Sequence, residues 1–199
     1  MTLYDLKPRF QALLRPLLRG LAGAGMTANQ VTLLALLLSL ALGVVLALYP
    51  DPLWFLLLPP FLFIRMALNA IDGMLAREFA QQSRLGALLN EVGDVLSDAA
   101  LYLPFALLPG AAPAAVVVMV LLANLSEFVG VAGQTIGAPR RYDGPLGKSD
   151  RAFALGAYAL AINLYAPALA WSGWLFWALA ALSALTCLNR ARAALKEPA

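Results

Sequence analysis

Six apolar runs constrain this chain more than any other feature. They occupy roughly residues 30–49, 52–71, 86–108, 113–136, 152–170 and 172–189, and each is close to the ~20 residues that carry an α-helix across the hydrocarbon core of a bilayer. Backbone N–H and C=O groups find no water there, so such runs must bond internally, as helices do. The predicted fold class is all-α integral membrane with six transmembrane helices. Of the 199 residues 62% are hydrophobic, 13% are charged, and mean hydropathy is +0.78, whereas soluble domains are typically nearer half apolar. Six spans leave little chain for anything else, so residues 1–199 read as one domain.

The basic residues set the direction of the helices, because Lys and Arg in short loops stay on the cytoplasmic side. All 14 obey one side. Lys7, Arg9, Arg15 and Arg19 precede the first span; Arg65, Arg77 and Arg84 surround the second connection; Arg140, Arg141, Lys148 and Arg151 fill the fourth; Arg190, Arg192 and Lys196 form the tail. The connections near Asp51, Pro109 and Pro167 hold no Lys or Arg. Both termini are therefore expected in the cytoplasm, with the protein in the inner membrane of a bacterium. The late, long first run does not suit a signal peptide. The formal net charge of +3, concentrated on one face, suits anionic lipid headgroups better than nucleic acid.

Residues 3–21 place Leu3, Leu6, Phe10, Leu13, Leu14, Leu17, Leu18 and Leu21 at three- and four-residue spacing between basic residues. This predicts an amphipathic interfacial helix, divided or bent at Pro8 and Pro16. Thr27 or Asn29 is placed to cap the first span. Pro59 and Pro60, mid-run, should kink the second.

Between the second and third runs lies a string of ligand-type side chains. Asn69 and Asp72 share one helical face near the inner end of the second span, and Asn90, Asp94 and Asp98 form a stripe on the third, each about 6 Å deeper at ~1.5 Å per residue. Ionisable residues inside a bilayer are costly and normally serve a cavity or each other. With no His in the chain and a lone Cys187, a metal must be held by oxygen, which favours hard cations such as Mg2+ or Mn2+. Asn69, Asp72, Asn90, Asp94 and Asp98 are the candidate ligands, the amides through their carbonyl oxygens. Gly73 and Gly86 allow close approach, Ala76 keeps its face small, and the planar fork of Arg77 suits phosphate.

The run from Asn69 to Asp94 resembles the signature of the CDP-alcohol phosphotransferases, D-x2-D-G-x2-A-R-x8-G-x3-D-x3-D. Asp72, Gly73, Ala76, Arg77, Gly86 and Asp94 match with every spacing kept, and residues 27–32 resemble the family's T-P-N-x-V-T stretch with Ala28 for Pro. The resemblance implies a membrane enzyme of phospholipid synthesis, acting as a homodimer on CDP-diacylglycerol or another CDP-alcohol. Asp72 to Arg77 would hold the nucleotide with one or two metal ions on its phosphates, and Asn29 would lie near it. Asp94 matches the base that deprotonates the hydroxyl acceptor, and CMP leaves.

Asn69 and Asn90 stand where the signature has its first and third Asp. Two negative charges are lost, which puts a two-metal site in doubt. Asp98 is the expected compensator, because it shares the face of Asn90 and Asp94, whereas Glu91 is rotated about 100° from Asn90. Arg140, Arg141, Lys148 and Arg151 form a second candidate anion site, for an acceptor phosphate or a lipid headgroup. Gly147-Lys148-Ser149 lacks the earlier Gly and the strand context of a nucleotide-triphosphate loop. Glu127, deep in the fourth run, needs a partner or a wet cavity and is expected either in the acceptor pocket or paired with a neighbouring helix or subunit. Two other readings stay open: a non-catalytic CDP-lipid binder, suggested by the two Asn, and a small ion-coupled transporter. The acceptor cannot be read from the residues.

Overall fold

Thr27 starts the first long helix by a reciprocal cap. Its hydroxyl accepts from the Gln30 amide at 3.3 Å while the Gln30 side chain accepts from the Thr27 amide at 2.8 Å, satisfying two donors that a helix start otherwise leaves bare. The computed structural model describes residues 3–197, and side chains from residue 10. Among the described residues the chain is all-helical: α1 (Leu3–Gly23), α2 (Ala28–Leu48), α3 (Pro52–Phe55), α4 (Leu58–Glu78), α5 (Arg84–Tyr102), α6 (Pro113–Ala132), α7 (Lys148–Leu164) and α8 (Ser172–Leu195), with short 3-10 turns after α5, after α6 and before α8.

Among the described residues four helical segments are long and apolar enough to cross a membrane: Ala28–Leu48, Pro52–Glu78, Pro113–Ile136 and Ala166–Leu195. Their outward faces carry Leu37, Val44, Leu121, Phe128 and Trp174, all exposed. An apolar patch of that extent belongs against lipid. Helix α2 lies along α5 and α4, α6 along α8, and α7 against α4. At one end Phe55, Phe105, Tyr158 and Phe176 interlock with ring centroids 4.7 to 5.9 Å apart. The opposite end is polar.

Several expectations are corrected here. Helix α1 runs as one helix through Pro8 and Pro16. It packs on α4 through Leu18, which is buried with Ile71, Met74 and Leu75, while Leu13 and Leu17 stay exposed. The side chains of Leu3, Leu6, Lys7 and Arg9 lie outside the described residues. Pro59 and Pro60 do not kink a helix; they occupy the first turn of α4 after the chain breaks at Leu56–Leu57, where a missing N–H is tolerated. Helix α7 begins at Lys148, so Lys148 and Arg151 share a helical face instead of a loop. Helix α8 continues past 189 to Leu195, and Arg190, read as part of the tail, is 2% exposed inside the bundle.

Candidate active site

Three helix ends meet at the polar pole: the starts of α2 and α5 and the C-terminal end of α4. Ser83 caps α5 by accepting from the Gly86 amide at 2.9 Å. Gln81 reaches across to accept from the Ala28 amide at 2.7 Å, which ties the α4–α5 turn to the start of α2. Between them opens a cavity of about 660 Å³ lined by Asn29, Thr32, Asn69, Asp72, Gly73, Ala76, Arg77, Gly86 and Asn90, among others. Two helix N-termini at one cavity favour an anion, since aligned peptide dipoles leave positive charge there.

The packing at Gly86 explains the residue. A Cβ placed there would lie 2.6 Å from Asn29 Oδ1 and 3.0 Å from Ser83 Oγ, so a side chain here would push the Asn29 amide from its position. Gly73 meets no backbone; the nearest atom to a Cβ there would be the tip of Arg77, at 3.2 Å. Asp72 is 6% exposed, and its Oδ2 accepts from the Thr32 hydroxyl at 2.8 Å. Thr32 was not singled out from the sequence, although it follows Asn29 by three residues and so shares its face.

Asp94 lies behind the Asn69 wall of this cavity, held from three directions. Its Oδ1 accepts from the Asn69 amide nitrogen at 3.1 Å and from Arg65 at 3.4 Å, and its Oδ2 pairs with the Lys148 ammonium. Asn69, in the first signature position, thus donates to the last signature Asp. Arg65 was read from sequence only as a basic flank. It is 4% exposed, within the second span, and an intramembrane charge is the signal that should have marked it.

Asp98 does not face the cavity. Its Oδ1 accepts from Arg65 at 2.6 Å and its Oδ2 from Arg151 at 3.2 Å, so both oxygens are engaged and the carboxylate is 3% exposed. The expected compensating ligand is instead the centre of a buried ion-pair chain. Two guanidiniums in a low-dielectric site cost too much to leave unpaired. The chain continues through Arg151 to Glu127 at 2.8 Å and from Glu127 to Arg190 at 3.2 Å. Among the described residues no cluster of three carboxylate, His or Cys side chains is placed to hold a metal ion.

The remaining basic residues divide. Arg140 Nη2 donates to Glu91 Oε2 at 2.7 Å, its Nε lies 2.6 Å from Glu91 Oε1, and Glu127 is 3.3 Å away. Burial works against the Arg140 charge, but the bond and charge of Glu91 outweigh it and keep the guanidinium more firmly protonated than usual. Arg141 turns away to Asp143, at 2.9 Å, and to Glu197; the hydrogen bond from Arg141 holds the Asp143 carboxyl below the ordinary range. Arg140, Lys148, Arg151 and Glu127 thus converge behind Asp94, and Arg141 does not join them.

The sequence model of the CDP-alcohol phosphatidyltransferases matches residues 25–185. The chain belongs to this family. It is 53% identical over 195 residues to the inner membrane protein YnbA of Escherichia coli K12, covering 98% of this chain and 97% of that protein. The fold is that of phosphatidylinositol phosphate synthase (PgsA1) from Mycobacterium tuberculosis. With CDP-DAG bound, that enzyme superposes with a TM-score of 0.76 at 22% identity, covering 92% of this chain and 94% of that one. Its complex with manganese and citrate gives 0.76 at 22% identity, covering 92% and 89%. As a CDP-alcohol phosphatidyltransferase the chain is a protein of phospholipid synthesis in a membrane. The motif from Asn69 to Asp94 lies inside the matched region.

Proposed function

We propose that the chain transfers a phosphatidyl group from CDP-diacylglycerol to a hydroxyl acceptor and releases CMP. The observation that carries this is one cavity lined by Asp72, Gly73, Ala76, Arg77 and Gly86, with the Asp94 carboxylate bonded to its Asn69 wall. The PgsA1 structure described as holding CDP-DAG supports the choice of CDP-alcohol.

In this mechanism the Asp72–Arg77 turn of α4 and the Asn29 amide hold the cytidine diphosphate. Arg77 offers its fork to a phosphate oxygen. Asp94 takes the proton of the acceptor hydroxyl, whose oxygen bonds to the phosphorus bearing the lipid as the bond to CMP breaks. Holding both partners in line supplies most of the acceleration in such transfers. Lys148 and Asn69 fix the Asp94 carboxylate, and Arg65 fixes its depth.

The donor set fits one divalent ion, Mg2+ or Mn2+, better than two. Asp72 and Asp94 bring two negative charges, Asn69 and Asn90 bring neutral carbonyls, and Asp98 is committed to arginines. When bound, such an ion would offset charge building on the phosphoryl oxygens. The manganese named in the second PgsA1 structure supports a divalent ion.

We further infer six spans. Helix α5 is less apolar than the four because it carries Glu91, Asp94 and Asp98, and α7 is a shorter helix of 17 residues; both pack among the four apolar segments. Helix α1 then lies in the interface with Leu13 and Leu17 toward lipid. Termini and cavity face the cytoplasm, as the Lys and Arg placement requires, and the chain pairs as a homodimer, which the family resemblance implies.

The test is CMP release from CDP-diacylglycerol by purified protein with Mg2+ or Mn2+ and a panel of alcohols. A second reading, binding without turnover, is favoured by the three donors already seated on Asp94. Tight CDP-lipid binding with no CMP from any acceptor would establish it. Under the catalytic reading Asp94→Asn lowers turnover by about 10²- to 10⁴-fold, the usual size of a lost general base, and leaves CDP-lipid affinity near wild type.

A further inference from the structure

We infer that Glu91 sets acceptor specificity by pairing with the charge of Arg140, so that the acceptor is a hydroxyl compound without a phosphate group. The inference rests on the transfer reading above and names the substrate class of the same site.

Glu91 precedes Asp94 by three residues on α5, which makes the two carboxylates neighbours on one helical surface. They belong to the side of the site facing α6 and α7, where an acceptor hydroxyl must approach Asp94. A phosphate entering there needs an arginine or lysine with donors to spare, and a guanidinium fork is the best fit. Arg140 is still reachable, its side chain 17% exposed beside Glu91 at 29%. Its charge is already paired. Nη2 donates to Glu91 Oε2 at 2.7 Å and to Glu127 Oε2 at 3.3 Å, Nε lies 2.6 Å from Glu91 Oε1 without hydrogen-bond geometry, and Tyr142 lies against the guanidinium face at 4.3 Å.

The cations behind Arg140 are committed as well. Lys148 is on Asp94, Arg151 is shared between Asp98 and Glu127, and Arg190 is on Glu127 and backbone carbonyls. A phosphate dianion drawn to Arg140 would have to compete with Glu91 for its charge. That would leave the Glu91 charge facing both the phosphate and Asp94, three negative groups in a partly desolvated site. An uncharged polyol, or an amino alcohol whose ammonium Glu91 tolerates, meets no such penalty. Built-in repulsion of this kind is how sites reject near-identical ligands.

The test compares acceptors in matched pairs: glycerol with glycerol 3-phosphate, inositol with inositol 1-phosphate, and serine with phosphoserine. In wild type the phosphate-free member of each pair is expected to give kcat/KM at least ~10-fold higher, and Glu91→Gln should narrow that gap mainly through a lower KM for the phosphorylated member. Adding Arg140→Ala to Glu91→Gln should abolish the gain, which loss of local structure alone would not predict. Wild-type preference for the phosphorylated member, or an unchanged ratio in Glu91→Gln, would overturn the assignment.

A readout free of turnover separates this assignment from the transfer reading. With CMP saturating, glycerol 3-phosphate should raise the melting temperature of Glu91→Gln and leave wild type unmoved. A protein that releases no CMP yet shows this difference would refute transfer and retain Glu91 as the excluding group. Equal stabilisation of both proteins would refute the role of Glu91 whatever the CMP assay gives.

Discussion

Asp98 shows what a residue's neighbours do to its chemistry. By spacing it is one more carboxylate on the face of Asn90 and Asp94, one turn deeper, and a natural replacement for the charge lost at Asn69 and Asn90. Depth decides otherwise, because that level also holds the guanidiniums of Arg65 and Arg151, and a buried carboxylate between two buried arginines answers their charge before any ion's. Asp98→Asn should therefore act on stability first. Removing one partner of a buried pair typically costs ~3–5 kcal/mol, seen here as a large fall in melting temperature in detergent. Its Mn2+ affinity, read by paramagnetic resonance at a temperature where the variant is folded, should match wild type. An Asp98→Asn protein that melts normally but loses Mn2+ would restore Asp98 as a ligand. Manganese titration of wild type should saturate near one ion per chain, and a second strong site would contradict the count drawn from Asp72 and Asp94.

At the scale of elements, the close approach of α2 to α5 builds the cavity. Gly86 permits it, and Gly86→Ala is the smallest change that opposes it, since the added carbon would press on the Asn29 amide. The expected effect is a roughly tenfold, ~1.4 kcal/mol, loss of CDP-lipid affinity with little change in melting temperature, measured by binding and thermal unfolding on one preparation. Unaltered affinity would show that the Asn29 contact does not shape the nucleotide site. Most of the helices were legible in the sequence, because run length and the cap residue Thr27 locate helices without knowledge of their partners. The motif wall was legible too, since Asn69, Asp72 and Arg77 need only one helix to share a face. The pairing of Arg65 with Asp98, of Arg140 with Glu91 and of Arg151 with Glu127 was not. Periodicity gives each residue a depth and a face, but the neighbour it meets depends on how four helices and the loop that carries Arg140 turn toward one another. The ends of α7 and α8 were misplaced for a related reason. Lys148, Arg151 and Arg190 read as polar loop or tail, and only their carboxylate partners let the helices continue through them.

The molecule as a whole is polarised, with an aromatic, apolar pole around Phe105 and a charged pole around Asp94. Such a gradient suits a bundle open to one side of a membrane, where the reacting groups can meet a soluble acceptor and CMP can leave while the diacylglycerol stays in lipid. The number of spans decides whether that geometry holds. Four spanning segments would leave α5 and α7 on one surface, placing Phe79 and Ala111 on the same side of the membrane. Six spans put them on opposite sides. Single cysteines in a Cys187→Ser background, labelled in intact cells with a membrane-impermeant maleimide, distinguish the two. Asp51→Cys, Ala111→Cys and Trp171→Cys should label from outside, whereas Phe79→Cys, Thr135→Cys and Lys196→Cys should label only after the membrane is opened. Common labelling of positions 79 and 111 would remove α5 from the membrane, and with it the placement of Asp94 at a cytoplasmic opening.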